Sequence, residues 1–209
     1  MNHQLSRFLT TGTLVVAALA LGACATTTTL SGRANAFTFD PDVKEPTNRS
    51  NVKVKLSTSA QKLYVVEGDK VLLATPVSVG TAATPTPKGT FPVRAKVAER
   101  RRVSSPGAGY PMPYWIEFYG PAYGMHWGFV KPYPSTMGCV RMPLKSAKKV
   151  FNLVSVGTPI NIATTQPEDQ TIGKTLPVLD DGPLPNPPDS YMLSSQAMAD
   201  IRQGKLWKF

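Results

Sequence analysis

From residue 51 the chain alternates. In VKVKLS, Val52, Val54 and Leu56 are separated by Lys53, Lys55 and Ser57, a period of two that predicts a half-buried strand. QKLYVVEGDKVLLATPVSVG reads as two further strands joined at Glu67-Gly68-Asp69, a hairpin signal. The prolines of TPTPKGTFPVRAKV exclude helix and fix φ, so a loop leads into a strand near 90–97. ERRRVSSPGAGYP reads as a polar loop, and MPYWIEFYG as an apolar, aromatic strand. The period changes once, in PLKSAKKVFNLVSVG, where Leu144, Ala147, Phe151 and Val154 share one helical face. Pro143 suits a first helical turn and Gly157 lies just past the end. TPINIA returns to strand. Several short strands and one main helix, placed after Cys139, predict a mostly-β domain of about 115 residues, an ordinary single-domain size.

The flanks have a different texture. A polar start carrying Arg7 precedes an apolar run from Leu14 to Leu21, a secretory signal too short to span a bilayer in comfort. Leu21-Gly22-Ala23-Cys24 resembles the lipobox of bacterial lipoproteins. That resemblance implies lipidation of Cys24 and cleavage before it, although Ala23-Cys24-Ala25 also has the form of an ordinary cleavage site. The apolar run stops where Cys24 begins and a Thr26–Thr29 tract follows, which favours the lipid. Residues 24–50 read as a tether that docks loosely near FTF. Residues 164–209 read as a Pro-rich extension ending in a short helix at SYMLSSQAMADIRQG.

Charge and cysteine count narrow the function. The formal charge is +10, of which Arg7 in the leader contributes one. Basic chains attract anionic polymers, but export makes nucleic acid a poor partner, and ERRR at 99–102 reads as a solvated surface run. With residues 1–23 removed, His126 is the one histidine left and Cys139 the one thiol not committed to lipid. An unpaired cysteine in an exported chain points to reactivity, against the alternative of an inert buried thiol.

A thiol becomes a nucleophile as thiolate, and a neighbouring imidazole can take its proton. Gly138 lets backbone approach a substrate, so amides around Gly138-Cys139 suit an oxyanion. Arg141 offers a forked cation for a carboxylate. Thr136 is placed to hydrogen-bond near the site or, equally, to its own turn backbone. Tyr114 and Trp115 alternate along a strand, and Tyr114 is expected in the cleft. One histidine and one cysteine leave too few ligands for zinc, so neither metal nor cofactor is expected.

These residues resemble the YkuD-type L,D-transpeptidase catalytic domain. The family signature, a His-Gly, a loop, then Ser/Thr-His-Gly-Cys-(Val/Ile)-Arg-(Met/Leu), corresponds to His126-Trp127 and Thr136-Met137-Gly138-Cys139-Val140-Arg141-Met142. VKLSTSAQKLYVVEGDK, VSVGTAATPTPKGTF, MPYWIEF and VFNLVSVGTPINI agree in order, so the likeness covers 51–163. It implies a mostly-β, sandwich-like fold, Cys139 as nucleophile, His126 as base with its ring oriented by the Trp127 carbonyl, and peptidoglycan stem peptides as substrate. Two positions depart: Met137 stands where the family has a second histidine, and Trp127 where it has glycine. The expectation is a monomeric, envelope-anchored transferase, held on the outer membrane if the organism is Gram-negative. The alternatives are hydrolysis of the same acyl-enzyme, as a carboxypeptidase or amidase, and a wall-binding lipoprotein with a decayed site.

Overall fold

The computed structural model describes residues 36–105, 107–181 and 187–205; the leader and Cys24 lie outside them. Nine strands form two sheets. The alternating VKVKLS is β1 (Val52–Ser57), and the hairpin is β2 (Lys62–Glu67) and β3 (Lys70–Pro76), antiparallel and turning where the sequence places the glycine. The expected single strand near 90–97 is two, β4 (Gly89–Pro92) and β5 (Ala95–Arg101). β6 (Pro111–Gly120) and β7 (Tyr123–Trp127) form a second hairpin, followed by β8 (Val140–Met142) and β9 (Pro159–Ala163). One sheet runs β3-β2-β1-β9-β4 and the other β5-β6-β7-β8.

Val93 and Arg94 carry the chain from one sheet to the other. The Val93 N–H donates to the Thr158 carbonyl beside β9, and the Arg94 N–H donates to the Glu117 carbonyl on β6. Proline at position 92 cannot donate to a ladder, which suits the end of one strand and the start of the switch.

Between the sheets lies α1 (Leu144–Leu153) with one continuous apolar core. Leu144, Ala147, Val150 and Leu153 are buried on its inner face, while Phe151 sits at the margin and takes the Lys96 ammonium over its ring. Ser146 is also buried, and the Thr75 hydroxyl donates to it at 2.8 Å. Ile116, Met125, Val140 and Met142 are fully buried at the centre. Each such side chain contributes roughly 1.5–3 kcal/mol of transfer free energy, and together they fix the strands that carry the catalytic candidates.

Both flanks are more ordered than their composition suggests. The tether reading ends at residue 36, because residues 36–50 are docked. Ala36 and Phe39 cluster with Val130 and Leu179, Lys145 and Lys149 bind Asp40, and the Lys44 N–H donates to the Leu72 carbonyl. In the C-terminal extension, α2 (Ile172–Thr175), α3 (Asp189–Met192) and α4 (Ser195–Arg202) all form. The sequence-expected short helix is therefore a pair, α3 and α4, with Ser194 capping the second.

Candidate active site

Cys139 is placed by a clamp on either side. Ser78 exchanges both backbone hydrogen bonds with Arg141 at 2.9 Å, and the Ser135 and Thr136 N–H groups donate to the Val79 carbonyl. On the other side β8 pairs in parallel with β7, Met125 opposite Val140 and His126 opposite Arg141. The cysteine thus sits on the short turn that enters β8, one residue before its first paired position. Gly138 makes that turn possible. Its φ is +102°, and a Cβ there would come within 2.7 Å of the Tyr123 ring, so any other residue is strained and crowded.

Alternation on β7 and β8 sends Met125, Val140 and Met142 into the core and His126 and Arg141 to the opposite face. That face floors a cavity of about 880 Å³ lined by Cys139, His126, Arg141 and Trp115, among others. The His126 Nδ1 lies 2.5 Å from the Trp127 carbonyl oxygen. A carbonyl only accepts, so Nδ1 carries the hydrogen and Nε2 is left as the basic nitrogen. Trp127 therefore supplies the orienting carbonyl that the family resemblance implies, and a side chain in place of glycine does not interfere with it.

Behind the imidazole lies Trp115, stacked at 5.7 Å between centroids and 27° between planes. Gly124 permits this approach: a Cβ there would meet the indole at 2.5 Å. Burial holds the His126 pKa down, at about 4, with the Trp127 carbonyl opposing and the Arg141, Arg102 and Arg100 cations adding to the depression. Burial also pushes the Cys139 thiol up, opposed by the Gly124 N–H and by the same three cations. At rest Cys139 is therefore a thiol, donating to the Ala122 carbonyl at 3.5 Å, and His126 a neutral imidazole whose Nε2 can accept a proton.

The turn's donors are divided. The Thr136 hydroxyl donates to the Cys139 carbonyl at 2.6 Å and accepts from the Gly138 N–H at 3.1 Å. Thr136 lines the cavity and braces the turn that carries Cys139, and Gly138 spends its amide inside that turn. Among the described residues the Cys139 N–H meets no protein acceptor, which makes it the amide available to an oxyanion.

Tyr114 is not in the cleft. It packs edge-on against Phe151 of α1 at 5.8 Å, and Trp115 takes the cleft side. The register decides this: Ile116 pairs with Met125, so Trp115 falls beside His126 and shares its face. Tyr114 has a φ of +59°, rare for a residue with a Cβ. Strict alternation would separate Met112 from Trp115, yet both line the cavity; the left-handed residue between them resets the faces.

ERRR is not a solvated run. Arg100 and Arg102 line the cavity, while Arg101 points away and donates to the Gly109, Met192 and Ser194 carbonyls. Arg100 stacks over Trp115 at 4.3 Å. Pro187 and Met192 of the extension also reach the rim. Met137 is exposed there, with its sulfur 3.7 Å from an Arg102 nitrogen. No group of three or more metal-binding side chains occurs among the described residues.

A family model for the L,D-transpeptidase catalytic domain (YkuD) matches residues 51–162. The chain belongs to that family. The matched span runs from the first strand to the last, β1 to β9, and leaves the docked segment 36–50 and the helices α2 to α4 outside it. The YkuD protein of Bacillus licheniformis, named as a candidate L,D-transpeptidase, is 25% identical over 126 residues, 58% of this chain and 71% of its own. Two solved L,D-transpeptidases are similar in fold. That of Stackebrandtia nassauensis is 23% identical with a TM-score of 0.49 and 60% of each chain covered. That of Mycobacterium smegmatis is 23% identical with a TM-score of 0.48, covering 54% of this chain and 58% of the other.

Proposed function

We propose that this protein is a cysteine-dependent peptidoglycan L,D-transpeptidase, held in the cell envelope by a lipid on Cys24. The observation that supports the reading is the placing of Cys139 and an oriented, neutral His126 on adjacent strand ends in one cavity. His126 Nε2 takes the Cys139 proton as the sulfur attacks the carbonyl of the donor stem's third residue. The Cys139 N–H receives the oxyanion. Collapse of the tetrahedral intermediate breaks the bond to the terminal D-amino acid, and the imidazolium returns the proton to that departing amine. An acceptor amine then attacks the thioester, His126 removes its proton, and the thiol is regenerated.

Arg141 suits a carboxylate close to the scissile bond, since its guanidinium meets no protein acceptor among the described residues. Incubating the protein with a tetrapeptide-bearing muropeptide and reading products by mass spectrometry tests the whole scheme. New dimers are expected; trimmed monomers alone would move the reading to a carboxypeptidase. Cys139→Ala is expected to abolish covalent acylation by a carbapenem, and an adduct that persists would remove Cys139 from its role.

A further inference from the structure

Among the described residues the cavity is lined by cations and by no carboxylate. Arg100, Arg102, Lys131 and Arg141 all reach it, and no Asp or Glu is among its lining residues. Lys131 is engaged by Asp180 at 3.4 Å, which removes it from consideration. The two carboxylates nearest the β5 end are also occupied, Asp189 by the Tyr110 hydroxyl and Glu99 by Arg202.

The three arginines keep donors in reserve. Arg100 gives one nitrogen to the Pro121 carbonyl at 2.9 Å, but its Nε is buried with no partner. Arg102 bonds Ser104 through Nε, and a thioether sulfur is a poor acceptor for the nitrogen beside Met137. Three half-exposed guanidinium groups around one cavity, none with a carboxylate partner among the described residues, draw an anionic ligand.

Their placement separates them into two seats. Arg141 lies on β8, next to Cys139, and Arg100 and Arg102 lie at the end of β5, the opposite edge of the same four-stranded sheet. The side chains lean inward from those two edges: an Arg102 nitrogen lies 3.7 Å from the Met137 sulfur, two residues before Cys139, so the two seats are neighbours in one cavity.

We propose that Arg100 and Arg102 form a second anion seat, which selects peptides carrying a further free carboxylate beside the one held next to Cys139. The substrate class is an anionic peptide with at least two free carboxylates, and the amidated form of the same peptide is a poor ligand. The assignment rests on the reading of the cavity as a peptide-acylation site. It adds to that reading a discrimination between acidic and amidated stems. Met192 and Pro187, from the extension, close the apolar side of the same end, so the peptide portion between the carboxylates lies against apolar surface.

The test measures binding, so that it does not depend on turnover. Full-length Cys139→Ala protein is titrated by calorimetry with two synthetic tetrapeptides, identical except that the acidic side-chain carboxylates are free in one and amidated in the other. The free-acid peptide is expected to bind at least tenfold tighter, with the advantage shrinking as salt is raised. Adding Arg102→Gln, and separately Arg100→Gln with Arg102→Gln, should bring the free-acid peptide down toward the amidated one. The single variant leaves the Arg100 stack on Trp115 intact, so a fold defect in the double variant does not decide the matter. Equal affinity for the two peptides, or a preference untouched by Arg102→Gln and by the double variant, overturns the second seat. Failure of the wild-type protein to form products while the Cys139→Ala protein still discriminates removes the transferase reading and leaves the seat in place.

Discussion

Behind the five-stranded sheet, Asp169 has both oxygens occupied: one accepts from the Tyr64 hydroxyl at 2.7 Å, the other from the Ser57 hydroxyl and the Gln166 N–H. Gln166 in turn donates to the Leu56 carbonyl on β1 and to Asn161 on β9. In the four-stranded sheet the cavity side differs: the Trp115 Nε1 and Arg100 Nε are buried with no partner, and the Arg141 guanidinium meets no acceptor among the described residues. Each side also holds one non-glycine residue at positive φ, Gln61 beside β2 and Tyr114 on β6. A satisfied network stabilises and rigidifies, whereas unsatisfied buried donors cost free energy. The Asp169 network serves stability, and the donors around the cavity suit a ligand.

That contrast can be broken by mutation. The largest effect on stability is expected from Asp169→Ala, which strands the Tyr64 and Ser57 hydroxyls and the Gln166 amide. It should cost roughly 2–4 kcal/mol in denaturant unfolding while carbapenem acylation of the folded protein continues at its usual rate. Arg141→Gln should do the opposite, lowering kcat/KM on an acidic peptide by about 10–100-fold with no fall in melting temperature. An Arg141→Gln protein that melts earlier would show that the cavity is structural after all.

The pH response sharpens the same division. His126 stays neutral down to about pH 4, while in the unfolded chain it titrates near 6.5. In that window the unfolded state binds more protons, so this residue's contribution to stability is complete above 6.5 and is lost as pH falls toward 4. The acid limb of kcat/KM should likewise lie near 4. At pH 5.5 the enzyme should retain nearly its full rate, where an unperturbed imidazole would give about a tenth of it. The smallest change is expected from Trp115→Phe, which keeps an aromatic ring behind His126 and deletes an unsatisfied N–H. The smaller ring leaves part of a fully buried site empty, which offsets the relief of the N–H, so the net loss in denaturant unfolding should stay within about 2 kcal/mol. A larger loss would mean that the indole nitrogen also has a partner in solution.

Much of this was legible in the residues. Alternation located β1, β2, β3, β6 and β9, and the apolar stripe located α1. Cys139, His126 and Arg141, singled out by their chemistry and the family pattern, line one cavity, and the Trp127 carbonyl, singled out by the family pattern, meets the His126 ring. The misses have local causes. A run of like charge looks solvated, because hydrophobic periodicity has nothing to act on in ERRR; only the pleat separates Arg100 and Arg102 from Arg101. Tyr114 and Trp115 were distinguishable only through pairing with β7, a long-range fact. Residues 36–50 dock through Asp40, backbone bonds and the few apolar side chains of 36–39, a stretch too short to show a rhythm.

The crossing at Val93 and Arg94 ties the two halves covalently at a point where successive amides answer to different sheets. A rivet of this kind does not let one plate lift while the other stays flat. Exchange of those two amides with deuterium should therefore proceed at one common rate, that of global opening, and the cleft inherits its dimensions from the whole domain. A loosened mutant would lose the alignment of sulfur and ring together with its fold, with no intermediate stage in which the groove alone has slackened.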